Sequence, residues 1–296
     1  MLNRPLPLLL ITGSLLGLGF PLGKLAGVAG IAPIVWSWIM AVGAGLVLLL
    51  ALWLGRVRLP MDVRHLRYYL VTGTVSNALP NLLVFSAMPH LGAGFISIFF
   101  AFSPIVTLVL HSLLQRRRPS PLGAAGIALG FAGALVIVLS KGRVDTPGGD
   151  VALWLALAFL IPLLLAGGNV YRTLAWPAGT SGLALAAGTN LGAGAVLGVL
   201  SLLWTGSLPL AAALAVPGLL LAQVAISAAM FAVFFRLQSV GGPVYLSQIG
   251  YVAAAVGLGT GTFVLGEHYG LWTWLGAVVV AVGVLMTTRA QQSAGK

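Results

Sequence analysis

Residues 5–23, 119–140, 151–171 and 269–288 contain no Asp, Glu, Lys or Arg, and each is close to the roughly 20 apolar residues an α-helix needs to cross a bilayer core. Longer uncharged runs carry their own punctuation. Residues 25–55 hold one helix after a turn from Gly27 to Pro33, and residues 68–115 hold two, divided at Pro89-His90-Leu91-Gly92. Residues 173–235 hold two more, divided around Thr205–Pro217. Residues 237–266 hold one, entered through Gly241-Gly242-Pro243. The expectation is an all-α integral membrane protein with ten transmembrane helices. Only 6% of the 296 residues are charged and 59% are hydrophobic, where a soluble domain carries about 25% charged residues. Water could not wet such an exterior. The Asn3-Arg4 start leads into an apolar run without an evident cleavage motif, so that run is expected to be a retained first helix.

The formal charge of +11 could suggest nucleic acid, but the basic residues are scattered between apolar stretches instead of lining one face. They read as topology signals, with the bilayer as partner and no nucleic acid. With the N-terminus inside, twelve of the fifteen fall on the cytoplasmic side: Arg4, Arg56, Arg58, Arg64, Arg67, Arg116 to Arg118, Arg172, Arg236, Arg289 and Lys296. Lys24, Lys141 and Arg143 fall outside. Such a bias places both termini in the cytoplasm of a multi-pass protein of the cell (inner) membrane. Small-residue spacings such as Gly126-x-x-x-Gly130, Gly188-x-x-x-Gly192 and Gly194-x-x-x-Gly198 predict close helix packing.

Laid on itself with an offset of 150, the chain matches Gly126 and Gly133 to Gly276 and Gly283, and Leu135 to Leu285. Phe85, Gly92 and Ser97 meet Phe235, Gly242 and Ser247. The shared order of helices and turns is the stronger signal. It divides the chain into a first five-helix repeat (1–141), a linker (142–150), a second five-helix repeat (151–288) and a tail (289–296). Five is odd, so the repeats lie upside down relative to each other, with a site expected between them.

Ser103-Pro104-Ile105-Val106, Leu265-Gly266-Glu267 and Trp274-Leu275-Gly276-Ala277 followed by Gly283-Val284 resemble the drug/metabolite transporter superfamily, in its branch with two EamA-type domains. The resemblance runs from about residue 8 to residue 288. It implies two inverted five-helix repeats around a central cavity that opens alternately to either side, and a substrate such as an amino acid or another small metabolite. One departure is Gln115-Arg116-Arg117, where the first repeat often has a Gly-Glu like that of the second.

The residues themselves narrow the chemistry. There are no cysteines, which removes disulfides and thiolate metal sites. The four acids, Asp62, Asp145, Asp150 and Glu267, fall in loops or at helix ends, so a proton-coupled carboxylate at membrane depth is not expected. Polar uncharged residues are the better candidates. Asn77 and Asn81 share a face at i, i+4, as do Gln223 and Ser227, while Tyr245, Gln248 and Tyr251 form a rough stripe. These seven are the expected substrate-binding residues, although interhelical glue is the competing role for each. Trp36 and Trp38 suit an interfacial belt, and Lys24 and Arg236 suit snorkelling side chains. Pro21, Pro80, Pro104 and Pro162 fall inside helices.

The expected function is alternating-access transport, in the exporting direction, of a small neutral or zwitterionic metabolite. It requires no catalytic residue, cofactor or metal, and it leaves a homodimer open. A channel is the main alternative, and a membrane enzyme or structural subunit follows.

Overall fold

In a computed structural model the chain is described over residues 5–114, 120–141 and 151–294. Arg4, Gln115-Arg116-Arg117, Arg118, the linker 142–150 with Arg143, Asp145 and Asp150, and Lys296 lie outside the described residues. Within them the regular structure is helical: α1 (Pro5–Val28), α2 (Pro33–Leu54), α3 (Val63–Gly73), a π-helical turn (Thr74–Ala78), α4 (Leu79–Leu91), α5 (Ala93–Phe100), α6 (Ser103–Leu114) and α7 (Pro121–Lys141). Then follow α8 (Val151–Ala175), α9 (Gly182–Thr205), α10 (Ala211–Leu214), α11 (Pro217–Ser247), α12 (Ile249–Phe263) and α13 (Leu271–Ala294). Six described helical stretches are long and apolar enough to cross a membrane, and four shorter apolar ones accompany them.

Local chemistry explains most boundaries. Pro33 starts α2, where a missing N–H costs nothing. Asp62 caps α3 by accepting from the Arg64 and His65 amides, and Ser181 caps α9 through the Ala184 amide. Gly92 breaks the chain between α4 and α5 at φ +88°, a backbone conformation that suits glycine. Two boundaries differ from the sequence reading. α11 continues through Gly241-Gly242-Pro243 to Ser247, because packing along α1 outweighs weak local propensity. Pro104 stands in the first turn of α6, so it initiates that helix instead of kinking it.

Packing follows an orderly set of partners. α2 lies on α9, α5 on α12 and α7 on α13, while α1 packs on α11 and α12 and α8 packs on α4 and α6. The glycines permit close contact: a Cβ at Gly133 would lie 2.8 Å from the Gly276 carbonyl, and one at Gly283 would lie 2.6 Å from that of Gly126. On another face, His65 bonds Asp62 and reaches the Thr180 hydroxyl at 2.8 Å, joining the α2–α3 and α8–α9 connections.

Trp36 and Lys24 depart from the places expected of them. Trp36 is 1% exposed and belongs to the core, not to an interfacial belt; Trp38 is half-buried. Lys24 does not snorkel, because its ammonium is held at 2.6 Å by Glu267. Arg236 is exposed.

Candidate functional site

Pro80 shapes the middle of the bundle. It has no N–H to donate to the Ser76 carbonyl, and its ring crowds that position. The helix widens there into the π-helical turn, with the Leu79 amide donating to the Thr74 carbonyl. Such a turn shifts side-chain directions and recurs at functional sites. Here it projects Asn77 into the protein. Asn77 is 1% exposed, and its amide donates to Asn190 Oδ1 at 2.9 Å. Asn81 donates to Asn77 Oδ1 at 2.6 Å, and Asn190 donates to the Ala186 carbonyl at 2.9 Å. Ser76 faces α8 at Gly168, where a Cβ would lie 2.0 Å from the Ser76 hydroxyl. A ladder of amides therefore links α4, the π-helical turn and α9.

The end of this ladder meets α11. Asn81, Gln223 and Ser227 line one small cavity together with Phe20, Phe85 and Phe100. Gln223 donates to the Ser227 hydroxyl at 2.9 Å, while its own carbonyl oxygen, fully buried, has no partner among the described residues. An unpaired buried acceptor costs free energy and is available to a ligand donor. The cavity holds about 20 Å³, room for roughly one water molecule. Gly19 borders it, and a Cβ added there would meet nothing within 4 Å.

Of the seven expected binding residues, Asn81, Gln223 and Ser227 share this cavity. Asn77 stands directly behind Asn81. Gln248 and Tyr251 flank the Gly250 contact with the Phe100 backbone at the start of α12 and are not among the cavity's lining residues. The Tyr245 side chain lies outside the described residues.

A second polar cluster joins distant parts of the chain. Glu267, in the loop after α12, accepts from the backbone amides of Ala93 at 2.9 Å and Gly94 at 3.0 Å. Lys24 of α1 and the Tyr269 hydroxyl bond the same carboxylate. Tyr269 in turn accepts from the Phe95 amide at 3.1 Å. The first three amides of α5, which have no acceptor within their own helix, thus find one in another part of the chain. Burial pushes the Glu267 carboxyl up, but Lys24, Tyr269 and the two amides outweigh it and hold it below its ordinary 4.5. Burial and the neighbouring carboxylate push the Tyr269 phenol up. The sequence placed Glu267 at a helix end, yet its side chain is only 9% exposed. Nothing in the local sequence signals this role, because the capped helix lies more than 170 residues away.

Arg172 carries no sequence signal beyond its place among the charges expected on the cytoplasmic side. It is 2% exposed, with its guanidinium 4.7 Å from the centre of the Phe234 ring. Among the described residues no group of three His, Cys, Asp or Glu is arranged to hold a metal.

The model of the EamA-like transporter family matches residues 4–139. No curated protein matches the sequence. A solved structure, described simply as the crystal structure of a protein, superposes with a TM-score of 0.60 at 16% identity. That match covers 95% of this chain and 98% of the other, so the shared fold extends well beyond residue 139.

Proposed function

We propose that the chain, whose residues 4–139 match the model of the EamA-like transporter family, is a multi-pass membrane transporter of the drug/metabolite type that exports a small neutral or zwitterionic metabolite, an amino acid first among candidates, by alternating access. The supporting observation is the convergence of Asn81 from α4 with Gln223 and Ser227 from α11 on one cavity. Uncharged donors and acceptors suit a solute that must shed its hydration shell without meeting a net charge.

The ten-helix inverted repeat belongs to the same proposal. The six long spans and four shorter apolar helices sum to ten. Residues near an offset of 150 also meet across the bundle: a Cβ at Gly250 would lie 2.0 Å from the Phe100 carbonyl, and Gly126 and Gly133 face Gly283 and Gly276. Helices related by an in-plane two-fold axis would pack in this way. A cavity of about 20 Å³ is far below the roughly 300 Å³ of small ligand sites, so the cycle requires it to widen.

Counterflow of labelled amino acids in proteoliposomes tests the reading, with Gly19→Leu as the decisive variant. Its side chain would enter free space at the cavity edge. Transport should fall more than about tenfold while the melting temperature shifts little. Gln223→Ala and Asn81→Ala should each weaken apparent affinity by up to about tenfold. Unchanged flux in Gly19→Leu would remove the cavity from the mechanism. Non-saturating flux without counterflow would favour a channel.

Topology has a separate check. Reporters fused after Lys296 or placed at Arg117 should read cytoplasmic, and one near Gly206 should read external. A cytoplasmic signal at Gly206 is incompatible with ten crossings.

A further inference from the structure

Arg172 is buried in the last turn of α8 and has no ion pair among the described residues. Of the two described acids, Asp62 bonds His65 and Glu267 is held by Lys24. The guanidinium bonds Asn169 Oδ1 and lies over the ring of Phe234, and its Nε has no acceptor among the described residues. Carbonyl dipoles at a helix C-terminus and an aromatic face each ease a buried cation, but neither neutralises it.

Nearby polar groups also lack partners among the described residues. The Tyr68 hydroxyl is fully buried without a partner among the described residues, and its ring packs on that of Tyr171, the residue beside Arg172. Tyr68 also lies within electrostatic reach of Arg172. Gln238, one turn beyond Phe234 on the same stripe of α11, is 7% exposed, and its amide nitrogen and oxygen both lack partners among the described residues. Three helices thus bring unpaired donors, one unpaired amide oxygen and one full positive charge to the end of the bundle that topology assigns to the cytoplasm. A ligand completing this arrangement must offer acceptor oxygens and a negative charge. A single guanidinium, with Arg67 and Arg236 of the neighbouring helices exposed, matches a monoanion whose two oxygens fit its planar fork.

We propose that Arg172, assisted by Tyr68 and Gln238, is an anion station that receives the carboxylate of the substrate on its way from the cytoplasm to the central cavity. The inference rests on the transport reading and deepens it: the substrate carries a carboxylate. Gln223 precedes Phe234 by eleven residues, about 16 Å along a helix, which one amino acid does not span. The station and the cavity are therefore successive stops. Arg172 and Tyr68 are buried in the conformation described, so the station requires the cytoplasmic side to open.

Thermal unfolding of the purified full chain tests this with four probes: L-phenylalanine, L-phenylalaninamide, benzoate and inorganic phosphate. Both carboxylates should stabilise the wild type, and the amide and phosphate should do so less. Arg172→Gln should lose at least tenfold in apparent affinity for the carboxylates and leave the weak amide response unchanged, while Arg172→Lys keeps part of the preference. Tyr68→Phe retains the ring and should weaken the carboxylate response severalfold, which serves if Arg172→Gln does not fold. A wild type unmoved by either carboxylate, equal responses to acid and amide, a stronger response to phosphate, or an acid preference that survives these substitutions overturns the station. Counterflow run in parallel separates the two readings. Saturable transport without carboxylate preference sinks the station alone, whereas Arg172-dependent carboxylate binding with no flux of any solute sinks the transport reading alone.

Discussion

Glu267→Ala is expected to cost the folded protein about 3 kcal/mol, near the lower end for breaking a buried ion pair because Lys24 is one-third exposed and partly screened. The loss concerns more than one bond. The Ala93 and Gly94 amides lose their acceptor, as do Lys24 and the Tyr269 hydroxyl. Glu267→Gln should recover little, since its amide nitrogen would present a donor to groups that are themselves donors. The pH dependence has a definite sign. The folded carboxyl sits below the ordinary 4.5, so its contribution is fully present above that value and is lost as pH falls through the lowered folded value. The difference in melting temperature between wild type and Glu267→Gln should be constant from neutral pH down to about 5 and narrow below it. A difference that stays flat down to pH 3, or that widens in acid, would show that the ionised carboxylate is not what stabilises the fold.

Gly73→Val should prevent recovery of folded protein. A Cβ there would lie 2.6 Å from the Ala193 nitrogen and 2.7 Å from the Thr189 carbonyl. Both are backbone atoms in the middle of α9, so no side chain can move aside. The crossing is close from the other side as well, with a Cβ at Gly192 falling 2.6 Å from the Tyr69 carbonyl. Overpacking a rigid contact costs about 1–3 kcal/mol and sometimes more. This one also carries the Thr72–Thr189 hydroxyl contact at 3.0 Å and, one turn further along, the Asn77–Asn190 bond. Size-exclusion profiles of detergent-solubilised protein should show aggregate for Gly73→Val. Gly27→Val, whose Cβ meets nothing within 4 Å, should give a profile close to wild type. Monodisperse Gly73→Val of normal stability would contradict the α3–α9 crossing.

What the sequence determined by itself is the solvent and most of the punctuation. Uncharged runs of bilayer length dictate membrane helices, and the turns at Gly27–Pro33, at Gly92 and between Thr205 and Pro217 are local matters of backbone chemistry. The pairing of Asn77 with Asn81 and of Gln223 with Ser227 was legible for the same reason, because i, i+4 neighbours meet on any helix. Tertiary structure alone decided which helix faces turn inward. These helices are apolar on nearly every side, so no amphipathic stripe separates the protein-facing side from the lipid-facing one. Trp36 could therefore suit an interface and be core, Lys24 could suit snorkelling and hold Glu267, and Arg172 could count as a loop charge and be buried. The cap on α5 and the setting of Arg172 depend on groups far apart along the chain, and such contacts arise only when separate helices pack, which periodicity within one helix does not encode.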